Sequence, residues 1–104
     1  MEKSKHFFCL LTPGRADMHT TVTEEEGKIF SRHAEYLKQK FAEKKILQAG
    51  TSFEAGQEHF AIVILSASGK PEAAALMAAD PAVAQGLLKA RITEYNVFLD
   101  RALV

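Results

Sequence analysis

His33 and Asp80 are the residues whose types invite a chemical reading. Asp80 is the one charged side chain in the stretch "MAADPAVAQG", residues 77–86, and it stands directly before Pro81. A carboxylate beside an imidazole fixes the tautomer of the ring and favours its protonated form, and an imidazole held that way moves protons near neutral pH. If the imidazole is instead the orienting member, Asp80 is itself the base; spacing leaves both assignments open. Asp80 also has a local use. "DPAVAQ" has the form of an N-cap followed by proline at the first helical position. One oxygen used as a cap leaves the other free, so Asp80 is expected to cap the turn after the second long helix and also to hydrogen-bond His33.

The elements that must bring the two together can be read along the chain. "HFFCLLT" (6–12) is a strand-like apolar run that ends at the turn signal Pro13-Gly14. A polar loop follows over 13–22, carrying Arg15, Asp17 and His19. Thr23 and Glu26 have the spacing of a capping box, and Glu24 and Glu25 suit the positive end of the helix dipole. The stripe Phe30, Ala34, Leu37 and Phe41 continues that helix, with Lys44 and Lys45 expected in its last turn. "ILQAGTSF" (46–53) and "HFAIVILS" (59–66) read as strands of a hairpin joined through Glu54–Glu58 with Gly56. A second helix is expected over Pro71–Ala79, and a last strand over Leu88–Leu99.

The order β-α-β-β-α-β predicts a ferredoxin-like α+β sandwich, an antiparallel sheet with both helices on one face. A first helix of about 20 residues is roughly 30 Å long, whereas strands of six to eight residues span only about 20–27 Å. The first turns of that helix therefore overhang the sheet, with His33 near Ile29 and Tyr36 at the end where Asp80 lies. The first and third strands are apolar on both faces, Phe7, Cys9 and Leu11 against Phe8 and Leu10, and Phe60, Ile62 and Ile64 against Ala61, Val63 and Leu65. A sheet with one wet face should alternate. A homodimer packed sheet face to sheet face is the expected cover.

The remaining features bound the function. The 104 residues fit one domain, 1–104, and 47% of them are hydrophobic. Thirteen basic side chains balance thirteen acidic ones, which argues against nucleic acid as the main partner. The apolar run Phe7–Leu11 is too short for a signal-peptide core, and Phe60–Leu65 is far below the ~20 residues that cross a bilayer, so a cytoplasmic protein without a membrane partner is expected. A lone cysteine, Cys9, inside an apolar strand reads as packed and fits a reducing compartment. His6, His19 and His59 do not have the spacing of a metal set, so no metal is expected. There is no Gly-rich phosphate loop. Arg15 is a candidate for an anionic ligand, and Arg91, alternating with Ala90 and Ile92, for an ion pair between subunits.

The chain resembles the YCII-related family, small proteins of the dimeric α/β-barrel group. The residues that carry the resemblance are "SRHAEYL" on the first helix, "ILQAGT" on the second strand and "AADPAVAQG" after the second helix, and it spans about Lys5 to Leu99. It implies a pocket lined by a histidine and an aspartate, which map onto His33 and Asp80. It also implies kinship with muconolactone isomerases and a chloromuconolactone dehalogenase, hence proton transfer on a small lactone or similar ring. Two departures stand out. Gly50-Thr51 replaces the Gly-Pro that family members often carry at the end of the second strand. Ala82 replaces the aromatic residue that often follows Asp-Pro, which should widen that part of the pocket.

The reading is thus a cofactor-independent isomerase, lyase or dehalogenase acting on a small organic molecule such as a lactone or carboxylated compound. His33 and Asp80 are the catalytic pair, and Arg15, Tyr36, Gly50, Thr51 and Ala82 the ligand-binding set. The alternatives are a non-catalytic dimeric metabolite-binding module and a monooxygenase-like member of the dimeric α/β-barrel group.

Overall fold

A computed structural model describes residues 5–54 and 58–101. In chain order the elements are β1 (Lys5–Pro13), α1 (Met18–Thr21), α2 (Glu24–Ala42), β2 (Ile46–Ser52), β3 (Phe60–Ala67), α3 (Lys70–Ala78), α4 (Pro81–Ala84) and β4 (Leu88–Glu94). The strands form one sheet in the order β2-β3-β1-β4, every neighbouring pair antiparallel. This is a ferredoxin-like α+β architecture.

One face of the sheet is dry. Phe7, Cys9 and Leu11 of β1 and Val63, Leu65 and Ala67 of β3 are buried there with Ala73 and Met77 of α3, and Leu37 of α2 packs on the same cluster. Alternation along the strands puts Phe8, Leu10, Ile62 and Ile64 on the other face, where all four are half-buried and Phe60 is 37% exposed. Phe8 pairs with Ile64 and Leu10 with Ile62 across the β1–β3 ladder, and Arg91 stands opposite Leu10 on that same outer face.

Helix α2 starts as its sequence predicts. Thr23 accepts from the Glu26 backbone N–H while the Glu26 carboxylate accepts from the Thr23 N–H, a complete capping box. Its inward face is narrower than the expected stripe. Leu37 and Phe30 pack inward, but Ala34 is exposed and Phe41 is 60% exposed. The face that meets the protein runs through Ile29, Phe30, His33, Tyr36, Leu37 and Lys40, whose 3–4 spacing lies beside Ala34 and Phe41 rather than through them. The helix closes at Ala42 with Lys40 in its last turn; Lys44 has left the helix, at φ 66.

Two further segments differ from the sequence reading, and one expected turn residue lies outside the described residues. The loop over 13–22 contains the helical turn α1. Strand β4 stops at Glu94, short of the expected Leu99: Glu94 pairs with Phe7, and one last bond runs from Tyr95 N–H to the His6 carbonyl. Gly56 lies outside the described residues, although β2 and β3 pair antiparallel on either side of it.

The end of the sheet near α4 is held by a close backbone approach. Gly14 N–H donates to the Leu87 carbonyl at 2.8 Å, and a Cβ on Gly14 would collide with the Gly86 carbonyl. Gly86 itself has φ 78, a conformation open to glycine. The turn after β1 and the turn before β4 are thereby pinned together beside α2. Replacing Thr23 with Ala should cost about 1 kcal/mol through loss of the cap, lowering the thermal midpoint by about 4–8 °C; an unchanged midpoint would mean that the capping box does not start the helix.

Candidate functional site

His33 and Asp80 meet at the end of the sandwich where α2 passes over α4. His33 Nδ1 lies 2.7 Å from Asp80 Oδ2 and 2.8 Å from Oδ1. The Asp80 side chain is fully buried and that of His33 is 16% exposed. A buried carboxylate is costly unless hydrogen-bonded, and with Asp80 ionised the ring must donate its Nδ1–H. Nε2 has no hydrogen-bond partner among the described residues, and Phe30 contacts the ring edge-on at 6.3 Å between centroids.

The expected second role of Asp80 is overturned. Asp80 does occupy the N-cap position of α4, and its carbonyl accepts from Ala84 N–H, but its side chain makes no capping bond. Both oxygens turn to the imidazole instead. The helix they would cap is only four residues long.

The His33 ring borders a cavity of about 310 Å³ between α2 and the end of the sheet. Its walls are apolar: Leu11, Met18, Phe30, Phe53, Phe60 and Leu88. Among the described residues, His33, Thr51 and His59 bring polar side-chain groups to it. The scarcity of polar groups, and their convergence, are what a site for a small apolar ring needs.

The other expected ligand contacts divide. Thr51 lines the cavity; Gly50 does not. Gly50 pairs with Ile62 on the outer face and Thr51 with Ala61 on the inner one. A register shift between Ile46 and Gln48 sets this parity: Ile46 is buried inward, and one extra residue moves every later side chain of β2 to the opposite face from plain alternation. Tyr36 ties α2 to α3, its hydroxyl donating to the Leu76 carbonyl at 2.6 Å, and burial, with the Asp80 charge behind it, pushes its phenol upward. Ala82 is fully buried with Met18 and Leu87, beneath Ile29 and Phe30, and supports the site from below without lining the cavity.

Arg15 borders an adjoining cavity of about 540 Å³ that shares Pro13, Met18 and His59 with the first. Its guanidinium is committed to the protein. It meets both Glu26 carboxylate oxygens, at 2.7 and 2.9 Å, and donates to the Thr21 carbonyl at 2.7 Å. Arg15 thereby holds the Glu26 carboxyl down to about 2, from an ordinary 4.5, with help from the Thr23 N–H. The result is a clamp that fastens the α1 segment, and Met18 with it, onto α2. Cys9 sits in the core, its thiol pushed up to about 11 by burial. No group of three or more His, Cys, Asp or Glu able to hold a metal occurs among the described residues.

No family model matches the sequence, and no curated protein matches it. Among solved structures, the chain is similar to 5-chloro-2-hydroxyhydroquinone dehydrochlorinase (TftG) from Burkholderia phenoliruptrix AC1100, in complex with 2,5-dihydroxybenzoquinone, with a TM-score of 0.65 at 18% identity over 86% of this chain and 93% of that one. The two chains share a fold. No helix among the described residues is long and apolar enough to cross a membrane.

What sequence reasoning missed here is the wall. Phe30 was legible as an inward residue, but Phe53 and His59 flank the β2–β3 connection, and nothing local marks such positions as facing a cavity. The hydrogen bonding of Asp80 generates a prediction. Asn caps helices as well as Asp does, so Asp80→Asn would be nearly neutral if capping were the role. Paired with His33 instead, the new amide leaves one polar group unsatisfied in a buried place, at a cost of about 1–3 kcal/mol. Denaturant unfolding of the two proteins separates these cases.

Proposed function

We propose that this protein is a cofactor-independent acid/base enzyme acting on a small, ring-sized organic molecule, as an isomerase, lyase or dehalogenase. The observation that carries the reading is the His33–Asp80 pair: an imidazole bordering an apolar cavity while its Nδ1 is held by a fully buried carboxylate. In this reading Asp80 orients the ring with Nδ1–H pointing inward, and Nε2 is the general base. Nε2 takes a proton from a substrate C–H or O–H, and Asp80 stabilises the imidazolium that forms. In a dehydrohalogenation the electron pair left behind forms a new π bond as halide departs. In an isomerisation the proton returns from the imidazolium to another atom of the same substrate. The dehydrochlorinase with the same fold, solved with a dihydroxylated quinone, supports a flat oxygenated ring as the substrate class. The resemblance to the YCII-related family points to the same kind of chemistry.

We also propose a homodimer, joined through the outer face of the sheet, in a cytoplasmic setting. Phe8, Leu10, Ile62, Ile64 and Tyr95 form a contiguous apolar surface there, with the Phe8 and Tyr95 rings 5.9 Å apart. Apolar patches of that kind mark contact surfaces.

Chloride release from 5-chloro-2-hydroxyhydroquinone tests the chemistry. The wild-type protein should release chloride, and His33→Ala should slow it about 100-fold or more, the contribution of a positioned acid/base. Equal rates in the two proteins would remove His33 from the reaction; slow turnover by neither but ligand binding by both would favour a metabolite-binding module. Sedimentation tests the dimer. A mass of two 11.5 kDa chains is expected at micromolar concentration, and Ile64→Glu should shift it to one. A single-chain mass for the wild type would contradict sheet-to-sheet packing.

A further inference from the structure

The geometry points to His59 as the second ligand-recognising group of the cavity, and to a substrate ring that carries oxygen atoms at two separated positions. This deepens the reading just given and rests on it. His33 reaches the cavity from α2; His59 reaches it from the other side, on the residue before β3. The intervening walls are apolar, and among the described residues Thr51 supplies the further polar side chain. A ligand filling the space between helix and sheet therefore meets one imidazole on the helix side and another at the sheet end.

The His59 ring is half-buried and lies against the largely exposed Phe53 edge to face, 5.0 Å between centroids at 86°, a contact that reduces the side-chain freedom to be lost on binding. An imidazole has two nitrogens, and it can keep a protein partner at one while meeting a ligand at the other. His59 also borders both this cavity and the adjoining one, where Arg15, Asp17, Glu58 and Lys89 make the lining charged. The ligand end nearest His59 thus faces the wetter space, and the end nearest His33 the drier one. A hydroxyl or carbonyl oxygen suits the His59 end. With Arg15 committed to Glu26, the two charge signs among Asp17, Glu58 and Lys89 do not select for an anionic arm.

Binding of two probes, 2,5-dihydroxybenzoquinone with oxygens on opposite sides of the ring and phenol with one, tests this in the wild type and in His33→Phe, His59→Phe and His59→Gln. His59→Phe keeps an aromatic ring on Phe53 and removes the nitrogens. It should weaken dihydroxybenzoquinone about tenfold, the worth of one hydrogen bond, and leave phenol within about twofold. His59→Gln, which restores a hydrogen-bonding group, should recover most of the loss, a rescue that a merely structural role would not give. Unchanged dihydroxybenzoquinone affinity in His59→Phe, with His33→Phe still weakened, would overturn the assignment of His59 and leave the site standing. Equal losses of both probes in His59→Phe would also overturn it, as would loss without rescue by Gln. If His33→Phe binds like the wild type, or the wild type binds neither probe, the site and the assignment fall together.

Discussion

A carboxylate with no exposed surface needs a hydrogen-bonding partner, and here its partner is a histidine 47 residues earlier in the chain. Leaving a buried charge unpaired costs several kcal/mol, so the contact between His33 and Asp80 constrains the elements that carry them. It sets α2 against α4 and orients the imidazole at the end of the sheet. The charge reaches further: it helps raise the Tyr36 phenol and the Cys9 thiol, both of which lie behind the site. Around this contact the backbone is tied by other means. Tyr36 fastens α2 to α3, Gly14 fastens the end of β1 to the turn before β4, and Arg15 fastens α1 to α2 through Glu26.

The division of labour follows from the fold. The centre of the sheet is fully packed, with Phe7, Val63 and Leu65 closed to solvent, and offers no room for a ligand. On the helix side, space opens beyond the strand ends, where α2 overhangs and the walls come from Leu11, Phe53, Phe60 and Leu88. The cavity is apolar because Leu11 belongs to the buried core, Leu88 packs against it, and Phe53 and Phe60 extend apolar surface beyond it. Its few polar groups come from positions where the chain enters or leaves the sheet, or from the one face of α2 that looks down on it.

Much of this was legible in the sequence. The capping box at Thr23 and Glu26 and the β-α-β-β-α-β order are local signals, and the overhang of a long helix over short strands follows from rise per residue alone. The juxtaposition of His33 with Asp80 came from that overhang. Of the two roles expected for the Asp80 side chain, the bond to His33 is present and the cap is not, because capping propensity is a local preference and the long-range partner outcompeted it. Gly50 and Thr51 could not be told apart because the irregularity near Gln48 reverses the faces of β2 without a sequence mark. Tyr36, Ala82 and Arg15 are near the site for reasons of scaffolding: a hydrogen bond to a carbonyl, a small buried side chain under α2, and an ion pair across the first loop. Composition cannot separate a scaffold role from a ligand role when both use the same residue types.

The hydrogen on the His33 ring tests the central claim most directly. Long-range nitrogen–proton NMR correlations distinguish the two neutral tautomers of an imidazole without any ligand or assay. At a pH where the ring is neutral, His33 should carry its proton on Nδ1, donated to Asp80, with Nε2 bare, and Asp80→Ala should release that preference. A wild-type His33 that carries its proton on Nε2 would leave the ring without a base facing the cavity, and would contradict the assignment of His33 and Asp80 as an acid/base pair.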